Sequence, residues 1–269
     1  MHATIIHRVR IEGRVALITG ASQGIGAACA QALRGRGARL ALVSRSAEKL
    51  ERVARPGDLA IPADITSEDG RRRAVDTTID AFGRVDILVN NAGIGLYAPS
   101  DAAPLDEIRR MFELNFFAAL GLIQLVAPAM RERRSGSIVN VGSIAGKVTL
   151  PWFSLYSASK HALGSLTNGL RMELAPHGIH CMVVCPGYVK TDFQDHVLGG
   201  RPPERIRRAK EFAITPEVCA GAIVNGIERR ARTVMTPRAG WLFVLASRLF
   251  PGTVDARLAA IYHKLERRP

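Results

Sequence analysis

A tyrosine and a lysine four residues apart are the clearest candidates for proton chemistry in this sequence. They open and close the run YSASK, which begins at Tyr156 and ends at Lys160. Side chains at this spacing lie on the same face of a helix. A tyrosine hydroxyl ordinarily has a pKa of about 10, and a neighbouring ammonium is expected to lower that pKa by stabilising the phenolate. Tyr156 is therefore predicted to exchange a proton with a substrate, assisted by Lys160.

Two further polar side chains strengthen this prediction. Ser143 precedes the tyrosine by thirteen residues and follows a predicted strand, where its hydroxyl could orient and polarise a substrate oxygen. Asn115 lies within a predicted helix. A Tyr-x-x-x-Lys pattern by itself is usually an exposed helix turn, and its combination with Ser143, Asn115 and the turn described next makes the catalytic interpretation specific.

A glycine-rich turn directly follows the first predicted strand and opens the first predicted helix. Its sequence, TGASQGIG, runs from Thr19 to Gly26. Glycines allow the backbone to approach a pyrophosphate, whose charge is then met by the N-terminus of the helix. The position of the turn predicts a dinucleotide site. The alternative is a tight turn with no ligand.

The elements that would position these residues alternate between strand and helix along the whole chain. Short apolar runs predict six strands, at Val15–Thr19, Arg39–Ser44, Leu59–Pro62, 87–89, 137–141 and 180–184. Helical spacing is found at 25–33, 47–54, 67–82, 105–132, 154–175 and 215–230. This alternation predicts an α/β protein with a doubly wound Rossmann fold, in which helices cover both faces of a parallel sheet.

The end of the second strand bears on which dinucleotide is preferred. An acidic residue here would accept hydrogen bonds from both ribose hydroxyls and select NAD. The sequence instead has Ser44, Arg45 and Ser46. The guanidinium fork of Arg45 suits a 2′-phosphate, and the serines, with Ser22, could add donors. We therefore expect NADP(H) to be preferred over NAD(H).

Taken together, these motifs resemble those of the short-chain dehydrogenase/reductase family. The glycine spacing is GxxxGxG, the run NNAG from Asn90 to Gly93 follows the fourth strand, and Pro186-Gly187 follows the sixth, with Thr191 soon after. The resemblance extends from about Gly13 to about Thr236. One departure is Gln23, where some NADP-using members of the family carry a second basic residue.

The resemblance implies roles for individual residues. Asp64 would face the adenine ring, although a turn or helix-capping aspartate is the alternative. Thr191 would hold the nicotinamide carboxamide, and Lys160 would hydrogen-bond to the nicotinamide ribose. Asn115 would bind a water molecule that links Lys160 to solvent. The complete set predicted to bind the cofactor is Gly20, Ser22, Gln23, Gly24, Ile25, Gly26, Ser44, Arg45, Asp64, Ile65, Asn91, Ala92, Gly93, Tyr156, Lys160, Pro186, Gly187, Val189 and Thr191.

Three functions are compatible with these residues. The first is reduction of the carbonyl group of a small or lipophilic molecule, or the reverse oxidation of an alcohol. The second is reduction of a 3-oxoacyl thioester held by an acidic carrier protein. The third is a dinucleotide-sensing binding protein without turnover, against which the intact set Asn115, Ser143, Tyr156 and Lys160 argues. Specificity is expected in the loop at about 192–214, whose sequence names no substrate.

We expect a single domain over residues 1–269, with a helical extension at 237–269. Residues 240–246 are apolar all round, and Val254, Leu258, Ile261 and Leu265 recur at helical spacing. One interpretation is a core-facing helix. The other is that segment 241–250 lies over the substrate entrance or touches a membrane surface.

Composition excludes several classes of protein. The net charge is +13, but acidic residues interleave or flank most basic clusters and no aromatic stacking motif accompanies them, which disfavours nucleic acid. The four cysteines show no metal-ligand spacing, so we expect reduced structural thiols and no metal.

The same features bear on location. Residues 1–13 do not resemble a secretory signal, and the uncharged run 114–130 is slightly short for a membrane span. A cytoplasmic protein with at most peripheral membrane contact is expected.

Self-association is also expected. The predicted helix 105–132 carries bulky apolar residues on more than one face, namely Met111, Phe112, Phe116, Phe117, Leu120 and Leu122. One stripe would cover the sheet, and the remainder would be exposed in a monomer. The family resemblance implies that this helix and the next pair into a four-helix interface, in a homodimer or homotetramer.

Overall fold

A seven-stranded parallel sheet forms the centre of the protein in the computed structural model, which describes residues 9–200 and 213–266. Its strands are β1 (Val15–Thr19), β2 (Arg39–Ser44), β3 (Leu59–Pro62), β4 (Ile87–Asn90), β5 (Gly136–Val141), β6 (Ile179–Pro186) and β7 (Thr233–Thr236). They lie in the order β3-β2-β1-β4-β5-β6-β7, and every neighbouring pair is parallel. This arrangement confirms the predicted doubly wound Rossmann fold.

Helices connect the strands and continue beyond the last of them. They are α1 (Gly24–Arg34), α2 (Ala47–Val53), α3 (Glu68–Phe82), α4 (Leu105–Phe112), α5 (Ala118–Glu132), α6 (Ser154–Leu174), α7 (Pro216–Glu228), α8 (Gly240–Leu249) and α9 (Pro251–Glu266). Short 3₁₀ turns lie at Ile144–Gly146, Ala175–His177 and Asp192–His196. A separate parallel pair joins Leu96–Tyr97 to Leu198–Gly199.

The strands are buried on both faces because helices cover each side of the sheet. On one side Leu33 of α1 and Ile223 of α7 pack against the sheet, and on the other Leu122 of α5 and Leu174 of α6 do so. Full burial of each such side chain stabilises the fold by about 1.5–3 kcal/mol. The Val- and Ile-rich strands of the sequence are explained by this double covering.

The order of the strands fixes where a ligand can bind. The chain builds outward from β1 to β3, then returns to the other side of β1 to form β4. In open parallel sheets, ligands bind beyond the carboxyl ends of the strands where the order reverses. Here that position lies above β1 and β4, between the glycine turn and the NNAG segment.

The stretch 105–132 differs from the continuous α-helix that the sequence predicts. A π-helical turn at Glu113–Phe117 separates α4 from α5, and Asn115 lies within it. An 18-residue window within this stretch has a mean hydropathy of 1.5, and the stretch is the one helical segment among the described residues that is long and apolar enough to cross a membrane. That is weak evidence for a span, because the same stretch packs against the sheet through Leu122 and Val126.

Two other features depart from or extend the predictions. Strand β7 was not predicted, and it adds to the edge of the sheet beside β6. All four cysteines, Cys29, Cys181, Cys185 and Cys219, are free and buried. Desolvation by burial raises the thiol pKa of each of them, to about 11 for Cys185, which leaves them as unreactive core side chains.

Candidate active site

One large cavity opens at the carboxyl ends of the strands, with a volume of about 1550 Å³. A pocket for one small ligand is typically 300–1000 Å³ (on the order of half this size). The space is therefore sufficient for a dinucleotide and a second molecule. Every residue predicted to bind the cofactor or act in catalysis lines this cavity, except Gly26 and Asn115.

The glycine turn brings backbone to the cavity wall at one end. Gly20 and Gly24 have φ of 63° and 55°, in the left-handed region that favours glycine. A Cβ at Gly26 would lie 2.2 Å from the carbonyl oxygen of Gly20. Gly26 therefore lets α1 pack closely behind the turn. It does not line the cavity, and its cofactor contact stays a prediction.

Asn91, the second residue of the NNAG run, lines the cavity and holds the glycine turn in place. Its Nδ2 donates to the carbonyl oxygens of Thr19, at 3.0 Å, and Gly20, at 3.2 Å. Its backbone N–H donates to Oγ1 of Thr19 at 3.0 Å. Behind it, Nδ2 of Asn90 donates to Oδ1 of Asn140 at 2.9 Å, which ties β4 to β5. The segment thus fixes the turn against the sheet.

The N-terminus of α1 fits an anionic group. Ser22, Gln23, Gly24 and Ile25 line the cavity here. Gln23 makes no capping hydrogen bond with its side chain, and the first turn of α1 contains no acidic residue. The first backbone N–H groups of the helix are consequently available to phosphate oxygens, as in other dinucleotide sites.

Three cations gather at the end of the cavity beyond this helix. Arg45 lies there as predicted, and the structure adds Lys49 from α2 and Arg110 from α4. The Nζ of Lys49 lies 3.5 Å from Oε1 of Gln23. Gln23 stands where some NADP-using members of the family carry a basic residue. In this structure Lys49 places a basic group next to Gln23.

Asp64 also lines this end of the cavity, together with Ile65. Its Oδ1 accepts hydrogen bonds from the backbone N–H of Thr66 at 3.0 Å and from Oγ1 of Thr66 at 2.8 Å. Desolvation raises the pKa of Asp64, but these bonds and the charges of Arg45 and Arg110 outweigh it and lower that pKa overall. Asp64 is thus an ionised turn aspartate whose position on the wall also suits the predicted contact with adenine.

Ser143, Tyr156 and Lys160 meet at the opposite end. Ser143 hydrogen-bonds to the hydroxyl of Tyr156, and its Oγ accepts the backbone N–H of Ala145 at 3.1 Å. The Nζ of Lys160 donates to the carbonyl oxygen of Val141 at 3.0 Å and lies 5.8 Å from the centre of the Tyr156 ring. The helical spacing of the tyrosine and lysine thus directs both side chains into the cavity.

Burial is the largest influence on the pKa values of Tyr156 and Lys160. Desolvation raises the pKa of Tyr156 to about 12, against the lowering effect of the Ser143 hydrogen bond. Desolvation also lowers the pKa of Lys160 to about 8. The prediction of a lowered tyrosine pKa is therefore wrong for the protein alone, since the loss of water around the phenol raises that pKa.

Asn115 stands behind these residues within the π-helical turn. Its Oδ1 accepts the backbone N–H of Ile94 at 2.9 Å, and its Nδ2 donates to the carbonyl oxygen of Ile94 at 2.9 Å and to Oγ of Ser159 at 3.1 Å. A Cβ at Gly93 would lie 3.0 Å from Oδ1 of Asn115 and 3.2 Å from Nζ of Lys160. Asn115 is therefore next to the lysine without lining the cavity, and its proposed link to a water stays a prediction.

The loop after β6 closes the wall between the two ends. Pro186, Gly187, Val189 and Thr191 all line the cavity. A Cβ on Gly24 would lie 3.0 Å from Cγ2 of Thr191, which places this loop directly opposite the glycine turn. Residues 201–212, which include most of the loop expected to set specificity, lie outside the described part of the chain.

Aromatic and aliphatic side chains surround the tyrosine hydroxyl. Phe153 and Phe193 lie with ring centres 6.0 Å and 5.8 Å from that of Tyr156. Leu150 and Ile261 add aliphatic surface to the same wall. The chemical end of the cavity is thus mostly apolar.

The C-terminal helix α9 completes this wall. Its residues Ile261, Tyr262 and Lys264 line the cavity, and the ring of Tyr262 stacks on Trp152 at 5.8 Å with an angle of 8°. Segment 241–250 was one predicted cover of the substrate entrance. In the structure, α9 occupies that position, and α8 contributes no residue to the cavity lining.

Comparison with known proteins decides the family. The family model described as short chain dehydrogenase matches residues 14–200. The chain belongs to the short-chain dehydrogenase family. Ketoacyl reductase HetN of Nostoc sp. (strain PCC 7120) is 35% identical to it over 258 residues, covering 91% of this chain and 88% of the relative.

Solved structures of other short-chain dehydrogenases share the fold. One from Burkholderia cenocepacia J2315 in complex with NADP is 31% identical, has a TM-score of 0.78, and is matched over 93% of this chain and 99% of its own. One from Burkholderia phymatum in complex with NAD is 26% identical, has a TM-score of 0.83, and is matched over 93% and 96%. This short-chain dehydrogenase is accordingly an oxidoreductase that uses a nicotinamide cofactor.

Several cavity residues of this short-chain dehydrogenase were missed by sequence analysis. Lys49 and Arg110 carry charge to the cofactor end, and Phe153, Phe193 and Tyr262 form the apolar end. Each comes from a different element, so sequence spacing alone does not bring them together. Across residues 9–200 and 213–266, no three His, Cys, Asp or Glu side chains are grouped to hold a metal ion.

Proposed function

We propose that the protein is an NADPH-dependent reductase of lipophilic aldehydes or ketones. The observation that carries this proposal is the placement of Tyr156, which is buried at the apolar end of the cavity beside Ser143, with Nζ of Lys160 5.8 Å from the centre of its ring. A binding protein without turnover would have no use for a buried proton donor held in this way. The same arrangement therefore argues against the dinucleotide-sensing alternative.

Three residues would carry the proton chemistry. The hydroxyls of Ser143 and Tyr156 would hold the substrate carbonyl oxygen. Tyr156, whose pKa is raised to about 12, is protonated at neutral pH and would give its proton to that oxygen as the carbonyl carbon is reduced. Reduced nicotinamide, when bound, supplies the hydride.

The preference for NADPH rests on the cofactor end of the cavity. Arg45, Lys49 and Arg110 place three cations on a cavity wall that also carries the carboxylates of Asp64 and Glu113. A 2′-phosphate would form charge-assisted hydrogen bonds there that a ribose hydroxyl cannot match. The NADP complex of a structural relative is compatible with this preference, although another relative holds NAD.

A substrate panel tests the proposed function. We expect turnover with NADPH and apolar ketones or aromatic aldehydes, with KM falling as apolar surface is added to the substrate. Each added methylene that becomes buried is worth about 0.8 kcal/mol, or about fourfold in affinity. Equal KM values for small polar and large apolar carbonyls would contradict the lipophilic assignment, and NADH runs in parallel would report cofactor preference.

A 3-oxoacyl-thioester reductase is the second candidate, since a ketoacyl reductase is among the relatives. The basic surface of the protein could then receive an acidic carrier protein. Salt would strongly weaken activity on the carrier-bound thioester and leave a free thioester unaffected. If salt had no effect on turnover of either the carrier-bound or the free thioester, recognition of an acidic carrier protein would be excluded.

The pH profile of reduction should report Lys160. Its pKa of about 8 means that the ammonium is lost as the pH rises through this value, while Tyr156 keeps its proton. We expect kcat/KM for NADPH, which reflects the free enzyme, to be flat below about pH 8 and to fall about tenfold per pH unit above it. A profile that stayed flat to about pH 10 would show that the charge of Lys160 is not required.

Self-association is proposed through the outer faces of α6 and of α5 with the π-helical turn that precedes it. Met111 and Leu122 are buried in the core, whereas Phe117 is 51% exposed and Met172 of α6 is 73% exposed. Phe117→Asp should convert a homodimer or homotetramer to smaller species in light scattering, and Val218→Asp, on α7 across the sheet, should not. A wild-type monomer at micromolar concentration would contradict the proposal.

We also propose that the described chain functions as one Rossmann domain whose extension, 237–269, helps to form the substrate site. The contribution of α9 to the cavity supports this. The buried free thiols fit a reducing compartment, and a cytoplasmic location is proposed on that ground.

A further inference from the structure

Helix α8 presents large apolar side chains to solvent. Trp241 is 42% exposed, Leu242 71%, Leu245 52% and Leu249 61%, and Phe250, which follows the helix, is 63% exposed. We call these five residues the outer face of α8.

The opposite side of this helix is bound to the protein. Val244 is buried, with Phe243 beside it, in a cluster that includes Met235. A Cβ on Gly240 would lie 2.8 Å from Sδ of Met235, so the start of the helix is in close contact with the end of β7. The helix is therefore anchored, and its outer face is a permanent feature of the surface.

Five large apolar side chains in ten successive positions make a contiguous patch, which soluble monomers rarely expose without a partner. The length of the helix limits what that partner can be. Ten residues extend about 15 Å, half the thickness of a bilayer core, so α8 cannot span a membrane. A helix of this kind can lie in the plane of a membrane surface with its apolar face buried.

The charged residues near the outer face of α8 indicate which kind of partner it binds. From 237 to 264 the sequence contains Arg238, Arg248, Arg257 and Lys264, all exposed, against the single acidic residue Asp255. A second copy of the chain docked on the same face would bring these cations together across the contact. An anionic lipid surface would neutralise them instead.

We propose that the outer face of α8 binds peripherally to the surface of an anionic lipid bilayer. Helix α9 follows α8 directly, and its residues Ile261, Tyr262 and Lys264 line the cavity. The bilayer would then adjoin the apolar end of the site. This proposal goes beyond the proposed function, because membrane contact needs no particular substrate.

Cosedimentation of the full-length protein with vesicles tests the proposal. The vesicles contain phosphatidylcholine alone or mixed with phosphatidylglycerol. We expect the protein to pellet with the mixed vesicles at low salt and to bind phosphatidylcholine more weakly. On the mixed vesicles, the fluorescence of Trp241 should shift to shorter wavelength, and Trp241→Phe should abolish the shift while leaving Trp152 as the remaining tryptophan.

Paired variants separate the apolar and the electrostatic contributions. Leu242→Glu with Leu245→Glu should weaken vesicle binding at least about tenfold for each leucine. Arg238→Gln with Arg248→Gln should weaken it about fivefold for each arginine on mixed vesicles only. The matched control is Ile79→Glu with Val218→Glu, which places the same charges at exposed apolar positions on α3 and α7 and should leave binding unchanged.

Three outcomes would overturn the proposal. They are a wild-type protein that stays in the supernatant with mixed vesicles, binding that survives the leucine substitutions, and binding that the control variant loses equally. If the leucine substitutions instead dissociated an oligomer in light scattering without changing vesicle binding, the outer face would be a contact between copies. Turnover of a water-soluble carbonyl should be the same in the leucine variant and the wild type, so loss of membrane binding is distinguishable from loss of function.

Discussion

Replacing Tyr156 with phenylalanine is expected to lower turnover by about 10²- to 10⁴-fold. The substitution keeps the ring that packs against Phe153 and Phe193 but removes the hydroxyl bonded to Ser143. Affinity for NADPH should remain within a few-fold of the wild type, because the residues that would hold the phosphates and the 2′-phosphate lie at the other end of the cavity. Turnover and NADPH binding, the latter by fluorescence titration, are measured on the same preparation.

Tyr262→Phe is the matched control for this experiment. It removes a hydroxyl from the same cavity while retaining the stack on Trp152. A small change in turnover is expected, since Tyr262 is not bonded to Ser143 in the structure. Near-normal turnover of Tyr156→Phe, or an equal loss in Tyr262→Phe, would show that the proton comes from elsewhere.

Replacing Arg45 with aspartate should reverse or erase the preference for the phosphorylated cofactor. A charge-assisted hydrogen bond is worth about 1.5–3 kcal/mol, or about 10- to 150-fold in affinity for NADPH. The new carboxylate would accept hydrogen bonds from the ribose hydroxyls of NADH and repel a 2′-phosphate. Dissociation constants for both cofactors give the result directly.

The control for this change is Arg52→Asp, on the same helix as Lys49 but away from the cavity. Arg52 is exposed and pairs with Glu48, so its loss changes net charge equally without touching the site. The preference for NADPH should persist in this variant. Tighter binding of NADH than NADPH by the wild type, or an equal effect of both substitutions, would contradict the assignment of Arg45.

Much of this architecture could be predicted from the sequence because strands that are buried on both faces appear as short, continuous apolar runs. Strands β1, β2 and β3 have the bounds that their apolar runs predict. Strand β7 was missed because its four residues, TVMT, are short and mixed in polarity. The π-helical turn was missed because helical spacing alone does not reveal it; within this turn Asn115 hydrogen-bonds to Ile94, which is distant in the sequence.

The site was only partly predictable for a similar reason. Residues within one motif, such as Tyr156 and Lys160, were identified because their spacing alone places them together. Lys49, Arg110 and Tyr262 reach the cavity from separate helices, and their positions depend on packing over long sequence distances. The direction of the shift in the tyrosine pKa was predicted wrongly because desolvation, which the sequence does not reveal, raises that pKa.

Transfer of deuterium from 4-deuterated NADPH to an apolar ketone tests the central claim most directly. Mass spectrometry of the product locates the label. We predict an alcohol that carries deuterium on the former carbonyl carbon with wild-type protein, and at least about a hundredfold less of it with Tyr156→Phe. NADPH binding without labelled alcohol from any aldehyde, ketone or 3-oxoacyl thioester would contradict the account.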